Sequence, residues 1–340
     1  MLSIFFVFSF VELYDFLVGI HLKLYEYIAF TYSELFQYPR WFLMRKLGRI
    51  HWIRHFFSED FSSKIIVPDM LLDEQNSSLK CFASVDSIVQ QLNNHGIFQG
   101  IYLKDKTVNE IKKFALEHPC YANRNPDLGF LVHLKELASD YISQEIRRAN
   151  YYNLESQCAI ISTLKADPFL RKIAALYLQT SPVHVSSALW WSFPSTSDLL
   201  RQSKAAQVFH CDLDDFRFLK FFFYLTDVDV DSGPHLFIRG SHRKKPFFRQ
   251  LLRGRASEDW LLQHYGPENV LKVYGPAGFG FVEDTYGHHM GSPPKSNQRL
   301  ILQIEYATHD YGNLHDMIDP KQLNQLPLGD VEPLVKSYGR

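Results

Sequence analysis

The first half of the chain repeats apolar residues at the three- and four-residue spacing of amphipathic helices. Residues 1 to about 60 follow this spacing, and they predict a helical N-terminal region. Three later helices are predicted from the same spacing and from their end signals: one that begins near Ser84 or Asp86 and stops at Gly96, one capped by Thr107 and ended by Pro119, and one over 167–182.

From about Val183 the pattern changes to short runs of β-branched and aromatic residues divided by Gly, Pro, Asp and Asn. Because these strands follow one another without helices between them, they predict an antiparallel sandwich, jelly roll or barrel, with the earlier helices against one face. The runs are "VHVSSALWWSF", "AQVFHCD", "RFLKFFFYLTDV", "PHLFIRGS", "VLKVYG", "GFGFVEDT" and "RLILQIEYA". The predicted fold class is therefore mainly β with flanking helices (α+β).

The polar stretch "PDMLLDEQNSSLK" is the best candidate for a domain boundary. It divides a predicted N-terminal helical extension, residues 1–75, from a main domain, residues 76–312. Residues 313–340 read as a loop-rich tail.

Composition narrows the function classes. Apolar residues make up 46% of the chain, enough for a sizeable core, and the net charge of -1 argues against a dedicated nucleic-acid binder. The four cysteines form no CxxC pair, so neither a zinc site nor a disulfide framework is predicted, and a reducing cytoplasm is the expected location.

The N-terminal region has two interpretations. Its opening apolar run is interrupted by Glu12 and Asp15, so neither a membrane-spanning helix nor a secretory signal is predicted. Residues 38–57 mix basic and aromatic side chains, which suits either a helix packed on the domain with a solvated cationic face or peripheral contact with a membrane surface.

Candidate chemistry lies in "QVFHCDLDDFRF", where His210 and Asp212 should project to the same side of an extended chain. About 75 residues later, "GHHMGSPPKSNQR" supplies a further histidine, either His288 or His289, and then Arg299. Two histidines and one carboxylate form the facial triad of non-haem Fe(II) oxygenases, which leaves coordination positions for a chelating co-substrate and for O₂.

A separate physical argument makes Arg299 a candidate for binding the co-substrate. A dicarboxylate such as 2-oxoglutarate needs a planar, two-pronged cation for the carboxylate that is far from the metal. In "RLILQIEYA", alternation puts Arg299, Gln303 and Glu305 on one face, which indicates a cavity, and apolar residues on the other. Lys220 and Thr226 share the even-numbered phase of His210 and are candidate co-substrate contacts, or else ordinary strand residues.

Taken in order, "FHCD", "YLTDVDVDSGPHLFIRGSHR", "GFGFVEDTYGHHMG" and "QRLILQIEYA" resemble the phytanoyl-CoA dioxygenase family of Fe(II)/2-oxoglutarate oxygenases, over roughly residues 85–310. The resemblance implies a double-stranded β-helix (jelly-roll, cupin-like) core. It implies that His210, Asp212 and His289 hold Fe(II), because the family run "DTxGxHxG" places the ligand at the second histidine.

The resemblance also implies that 2-oxoglutarate and O₂ are consumed and that a small-molecule substrate is hydroxylated, with release of succinate and CO₂. Because related halogenases lack the carboxylate, Asp212 favours hydroxylation over chlorination. A lipid or a secondary metabolite in an apolar cavity is the expected substrate class. The sequence departs from the family at His235, usually aliphatic, and at Arg239, usually proline.

Two rival functions stay open. One is a cupin-like metal-binding protein without 2-oxoglutarate turnover, against which Arg299 argues. The other is a non-catalytic binding module that keeps the fold, against which the complete ligand set argues. A serine hydrolase is not supported, since the chain has no GxSxG elbow.

Overall fold

A computed structural model describes residues 35–59, 77–195, 208–251, 256–312 and 316–329. The predicted helices before residue 35, the polar boundary at 68–76 and the end of the predicted tail lie outside the described residues. The chain divides into two compact units, Met1–Leu47 and Gly48–Arg340. In the first unit, the described helix α1 (Pro39–Leu47) places the Arg45 guanidinium 5.5 Å from the ring of Trp41.

Nine described helices belong to the second unit. They are α2 (His51–Glu59), α3 (Val85–His95), α4 (Asp105–Glu117), α5 (Lys135–Tyr141), α6 (Leu154–Gln157), α7 (Ala159–Leu164), α8 (Pro168–Leu178), α9 (Phe247–Leu251) and α10 (Glu258–Tyr265). Short 3-10 turns cover Val132–Leu134, Pro267–Asn269 and Pro320–Gln322. No helix of the described residues is long and apolar enough to cross a membrane.

The helix ends test the sequence signals. The prediction for α3 is confirmed: Ser84 Oγ accepts a hydrogen bond from Ser87 N–H at 3.3 Å, and Gly96 ends the helix with a φ of 82°. The predicted cap Thr107 is wrong. Helix α4 starts two residues earlier, directly after a strand that ends at Leu103, and Thr107 is buried inside its first turn.

Twelve strands form two antiparallel sheets in the described chain. They are β1 (Leu79–Cys81), β2 (Ile97–Leu103), β3 (Cys120–Ala122), β4 (Gly129–Phe130), β5 (Arg148–Asn150), β6 (Val183–Ser192), β7 (Phe218–Tyr224), β8 (His235–Ile238), β9 (Val270–Val273), β10 (Phe279–Glu283), β11 (His289–Gly291) and β12 (Arg299–Ala307). The large sheet has the order β1-β2-β10-β7-β12-β6-β5-β3-β4, and the small sheet has the order β11-β8-β9.

The two sheets face each other. A buried apolar cluster joins Phe222 and Ile301 of the large sheet to Phe237 and Val273 of the small sheet. This sandwich with flanking helices confirms the predicted mainly-β jelly-roll class.

The opposite face of the large sheet carries the helices. Leu92 of α3 and Ile173 of α8 share one cluster with Phe221, Phe223 and other residues of the large sheet. Alternation therefore separates neighbouring tryptophans on β6: Trp191 lies in the helix-side core, whereas Trp190 borders the space between the sheets.

The predicted strand "AQVFHCD" is wrong in its described part. Residues 208–212 form only an isolated bridge, in which His210 and His289 exchange two backbone hydrogen bonds of 3.0 Å. Asp212 N–H then bonds to Thr285 O at 2.9 Å and not to Gly287 O, where an antiparallel ladder would continue, so the bridge does not extend into a strand. The bridge still fixes the segment to the edge of the small sheet.

The basic segment 38–57 is described in part. Within α2 the Trp52 side chain is 69% exposed, while Arg54 is buried. Contact of this segment with a membrane surface stays a prediction.

Candidate metal centre

Three predicted ligands converge at the edge of the small sheet. The donor atoms of His210, Asp212 and His289 all lie within 4.8 Å of one another, close enough to bind one ion. Asp212 Oδ1 lies 3.8 Å from His210 Nε2, and Asp212 Oδ2 lies 3.5 Å from His289 Nε2. Their convergence follows from the backbone bridge between the two histidines.

The histidine rings are oriented by their second nitrogen atoms. His210 Nδ1 donates to Val208 O at 2.9 Å, and His289 Nδ1 donates to Gly287 O at 3.0 Å. A carbonyl oxygen only accepts, so both Nδ1 atoms carry the proton and both Nε2 atoms present a lone pair to the cavity. This arrangement is typical of metal-binding histidines.

Electrostatics favour the ligand forms of these groups. Burial disfavours the ionised form of Asp212, but Lys220 and the two histidines outweigh it and hold the pKa of this carboxyl below its usual range. Burial and the neighbouring His210 lower the pKa of His289 to about 4. At neutral pH the site thus offers a carboxylate and a neutral imidazole, which are the forms that bind metal ions.

Lys220 faces the same cavity, as its strand phase predicts, but its ammonium group already has partners. Its Nζ donates to Asp212 Oδ2 at 2.8 Å and to Asp214 Oδ2 at 2.6 Å, and it lies 3.7 Å from Glu305 Oε2. Burial would lower the pKa of Lys220, but the three carboxyl groups raise it well above the usual value. The structure therefore gives Lys220 a contact with a predicted metal ligand in place of a free position for co-substrate.

Arg299 is buried and only partly satisfied. Its Nη2 donates to Ser192 Oγ at 3.3 Å, while its Nε and Nη1 have no hydrogen-bond partner within the described structure. A side chain at Gly291 would put its Cβ 2.9 Å from Arg299 Nη2, so this glycine, two residues after His289, leaves the space that the guanidinium needs. Two donors are thus available to an anion beside the metal ligands.

Thr226 is not brought to this cavity. Strand β7 ends at Tyr224, so the alternation that predicted its direction does not reach Thr226. Its Oγ1 accepts a hydrogen bond from Leu300 N–H at 3.1 Å, and its side chain lines a separate cavity beside Phe193. The predicted co-substrate contact of Thr226 has no support in this geometry.

His288 points away from the metal ligands. Its Nδ1 lies 3.1 Å from Cys211 Sγ, and its ring packs edge-on to Trp260. Cys211 therefore lies against an imidazole. Burial, with the Lys245 charge, lowers the pKa of His288 to about 2.

This geometry predicts opposite outcomes for the two adjacent histidines. Replacing His289 by alanine should remove Co(II) binding, because one of three donor atoms is lost. Replacing His288 by alanine should weaken binding by no more than about tenfold, because only packing behind the site changes. Co(II) absorption titrations of both variants check this, and stronger binding by His289→Ala than by His288→Ala would reverse the assignment.

The cavity around the three ligands has a volume of about 290 Å³ and is mainly polar. The expectation of an apolar cavity is wrong, because strands β5, β7 and β12 direct charged residues into it among the aromatic ones. Four charged residues that were not predicted from the sequence also line the cavity: Arg124, Arg148, Asp214 and Asp316. Asp214 follows Asp212 by two residues, so the alternation that found the first carboxylate was also a signal for the second.

His235, one of the departures from the family, lies in the cavity wall. Its ring centroid is 5.7 Å from that of His289, and its Nε2 is 3.0 Å from Glu283 Oε2. Burial raises the pKa of Glu283 to about 8, so at neutral pH this pair is held mostly as neutral groups. His235 departs from the family at this position, but no sequence spacing pairs it with Glu283.

No family model matches the chain, and no curated protein sequence does. Solved structures are similar to it at low identity. AviO1 from Streptomyces viridochromogenes Tue57 is 17% identical, with a TM-score of 0.44 over 67% of this chain and 96% of its own. EctD from S. alaskensis, described with 2-oxoglutarate and 5-hydroxyectoine, is 15% identical, with a TM-score of 0.45 over 74% and 90%.

EvdO2 from Micromonospora carbonacea var. aurantiaca, described in complex with 2-oxoglutarate, is 14% identical, with a TM-score of 0.47 over 73% of this chain and 99% of its own. At these identities and TM-scores, the function of this chain is argued from its own side chains.

Proposed function

We propose that this chain is an Fe(II)- and 2-oxoglutarate-dependent dioxygenase that hydroxylates an unactivated C–H bond of a small-molecule substrate. One observation carries the proposal: three converging donor atoms and a buried guanidinium with unpaired N–H groups line the same cavity. His210, Asp212 and His289 would hold the metal ion, and Arg299 would bind the distal carboxylate of 2-oxoglutarate.

The residues fit both groups. Two imidazoles with free Nε2 atoms and one carboxylate are a donor set that suits Fe(II) and leaves positions open. The unpaired Nε and Nη1 of Arg299 are buried donors that cost free energy until an acceptor meets them. A carboxylate, a strong acceptor of charge-assisted hydrogen bonds, can accept from the unpaired Nη1 edge of this guanidinium.

When bound, a ferrous ion supplies the dioxygen chemistry that couples conversion of 2-oxoglutarate to succinate and CO₂ with insertion of one oxygen atom into a substrate C–H bond. The overall balance is substrate, 2-oxoglutarate and O₂ giving hydroxylated substrate, succinate and CO₂. The protein positions the reactants and limits the access of water.

Specific side chains of the chain perform these tasks. Lys220 holds one oxygen of Asp212 and so fixes the plane of the carboxylate. Trp190 and Phe222 cover part of the cavity wall with apolar surface. Arg299, in the space that Gly291 leaves, would bind the distal carboxylate of the keto-acid.

Binding of 2-oxoglutarate to the metal-loaded protein tests the proposal. Anaerobic addition of 2-oxoglutarate to the Fe(II)-loaded protein should produce the weak visible charge-transfer band of a chelated keto-acid. Replacing Arg299 by alanine should raise the 2-oxoglutarate concentration needed for half-saturation roughly 10- to 100-fold, because charge-assisted hydrogen bonds are lost. The same shift should appear in the KM for 2-oxoglutarate.

Arg243→Gln is a matched control, since this arginine is exposed, does not line the cavity and donates from its side chain to Asn93 O. Metal binding without any 2-oxoglutarate binding would favour the alternative, a cupin-like metal-binding protein. Unchanged 2-oxoglutarate affinity in Arg299→Ala would remove this residue from its proposed role.

A further inference from the structure

A second cationic position lies beside Arg299 on the same inner face of the large sheet. Arg148 of β5 pairs with Ser192 of β6, and Ser192 pairs with Arg299 of β12. Neighbouring strands are about 4.8 Å apart, so the two arginine backbones are separated by roughly 10 Å. Both side chains line the cavity around His210, Asp212 and His289, but they extend into it from different strands.

The Arg148 guanidinium is held rigidly by uncharged neighbours. Its central carbon lies 4.3 Å from the centroid of the Trp190 ring, and its Nε donates to Asn150 Oδ1 at 3.0 Å. Its two Nη groups have no hydrogen-bond partner in the described parts of the chain, and they are not sealed from solvent. A stacked guanidinium with a free Nη edge is preorganised to bind a planar or tetrahedral oxyanion.

No carboxylate of the described residues lies within ion-pair distance of Arg148. Within the described ranges, neither Arg148 nor Arg124 forms an ion pair, whereas Lys220 in the same cavity contacts three carboxyl groups. Burial, with the repulsion of Arg124, lowers the pKa of Arg148 well below its usual value, and Asp316 opposes this only in part. An anion between the two guanidinium groups would offset both costs.

Arg124 reaches the cavity from its rim. It lies in the turn after β3 with a φ of 62°, and its carbonyl oxygen accepts a hydrogen bond from Tyr152 OH at 2.7 Å. The side chain is exposed and borders the cavity that Arg148 lines from within. The pair therefore presents positive charge to the cavity, from strand β5 and from the turn after β3.

We propose that Arg148 and Arg124 bind an oxyanion of the substrate, a carboxylate or a phosphate, and so hold the substrate in the metal cavity. This inference rests on the proposed oxygenase function, and it names the substrate class as a small anionic molecule. Arg148 supplies the fixed fork, and Arg124 supplies a second charge at the rim. A neutral lipid would leave both guanidinium groups without a partner.

Two small anions serve as probes of this position: inorganic phosphate for a phosphate group and acetate for a carboxylate. The full chain is loaded with Mn(II) and saturated with 2-oxoglutarate without O₂, and chloride keeps the ionic strength constant. The paramagnetic ion then enhances the relaxation of phosphorus-31 or of the acetate methyl protons when the probe lies within the cavity. The probe that shows the larger enhancement identifies the favoured oxyanion.

Arg148→Gln and Arg124→Gln should each lower the affinity for the favoured probe by about tenfold or more, because each variant loses a positive charge and the hydrogen bonds that it assists. Arg243→Gln, which removes an exposed charge elsewhere, should leave the probe affinity unchanged. The affinity of Arg148→Gln for 2-oxoglutarate, measured by calorimetry with Ni(II), should stay within about twofold of wild type.

Three results would overturn the inference. They are the absence of enhancement for both probes, enhancement that persists in Arg148→Gln and Arg124→Gln, and a loss of 2-oxoglutarate affinity in Arg148→Gln as large as in Arg299→Ala. The last would assign Arg148 to the co-substrate. If Arg148→Gln does not fold, Arg148→Lys and the exposed Arg124→Gln provide the same comparison.

Failure of the proposed function has a different signature. In that case wild-type protein loaded with Mn(II) or Ni(II) does not bind 2-oxoglutarate at all. If 2-oxoglutarate binds normally but anion binding does not depend on Arg148 and Arg124, only the proposed substrate-anion site is disproved.

Discussion

Replacing Asp212 by alanine is expected to abolish iron-dependent succinate formation in a protein that still folds. The substitution removes the only carboxylate of the donor set, so metal affinity should fall by more than the roughly 10- to 100-fold typical of a supporting residue. Folding should survive because Lys220 keeps Asp214, 2.6 Å away, as a charged partner. Equilibrium dialysis with Fe(II), followed by succinate measurement, checks both effects.

Asp214→Asn is the matched control for this experiment. Asp214 shares Lys220 with Asp212 but is not part of the converging donor set. The control variant should therefore bind metal much as wild type does. If Asp212→Ala binds metal as tightly as wild type, or if both variants lose the same affinity, Asp212 is not a metal ligand. The proposed oxygenase function would then be wrong.

Replacing Arg54 by alanine is expected to destabilise the metal-free protein by about 3–5 kcal/mol, the cost of leaving a buried charge without its partner. Arg54 Nη2 lies 3.2 Å from Asp284 Oδ1, and both side chains are more than nine-tenths buried. The guanidinium also lies 3.9 Å from the Tyr286 ring centroid. Urea unfolding of wild type and variant measures the loss.

A surface pair provides the comparison. Lys113 and Glu117 on α4 are exposed and 3.9 Å apart, so Lys113→Ala should cost at most about 1 kcal/mol. If both substitutions change the free energy of unfolding equally, the buried Arg54–Asp284 pair stabilises the fold no more than an exposed pair does.

The Arg54 effect should depend on pH with a definite sign. Burial disfavours ionised Asp284, but Arg54, His242 and a hydrogen bond from Tyr177 OH outweigh it and lower the pKa of the carboxyl. A lowered folded-state pKa gives stability that is complete above the unfolded value, near 4, and is lost as the pH falls through the folded value. The difference in unfolding free energy between wild type and Arg54→Ala should therefore shrink below about pH 4.

Local patterns predicted those parts of the fold that local physics controls. Helix α3 has its cap and its stop signal next to it in the chain, so Ser84 and Gly96 were sufficient. On β12, alternation alone placed Arg299 and Glu305 on the cavity side, because the strand is regular from Arg299 to its bulge after Glu305. Alternation failed at Thr226, where the strand had already ended.

Other features depend on contacts that no sequence spacing reveals. Arg54 and Asp284 are 230 residues apart, and their pairing depends on where α2 packs. The register of β6 against β12 puts Trp190, and not Trp191, against the space between the sheets. Three-residue strands such as β5 are too short to show alternation, so Arg148 gave no sign of facing the cavity.

The Arg54–Asp284 pair ties the segment before the jelly roll to the loop that precedes His289. Asp284 N–H also bonds to Gly96 O at 2.9 Å, so the same residue holds the end of α3. A shortened version of this protein that keeps the predicted metal ligands should therefore begin upstream of Arg54. A version that starts at residue 76 would leave the buried Asp284 carboxylate without Arg54, five residues before His289.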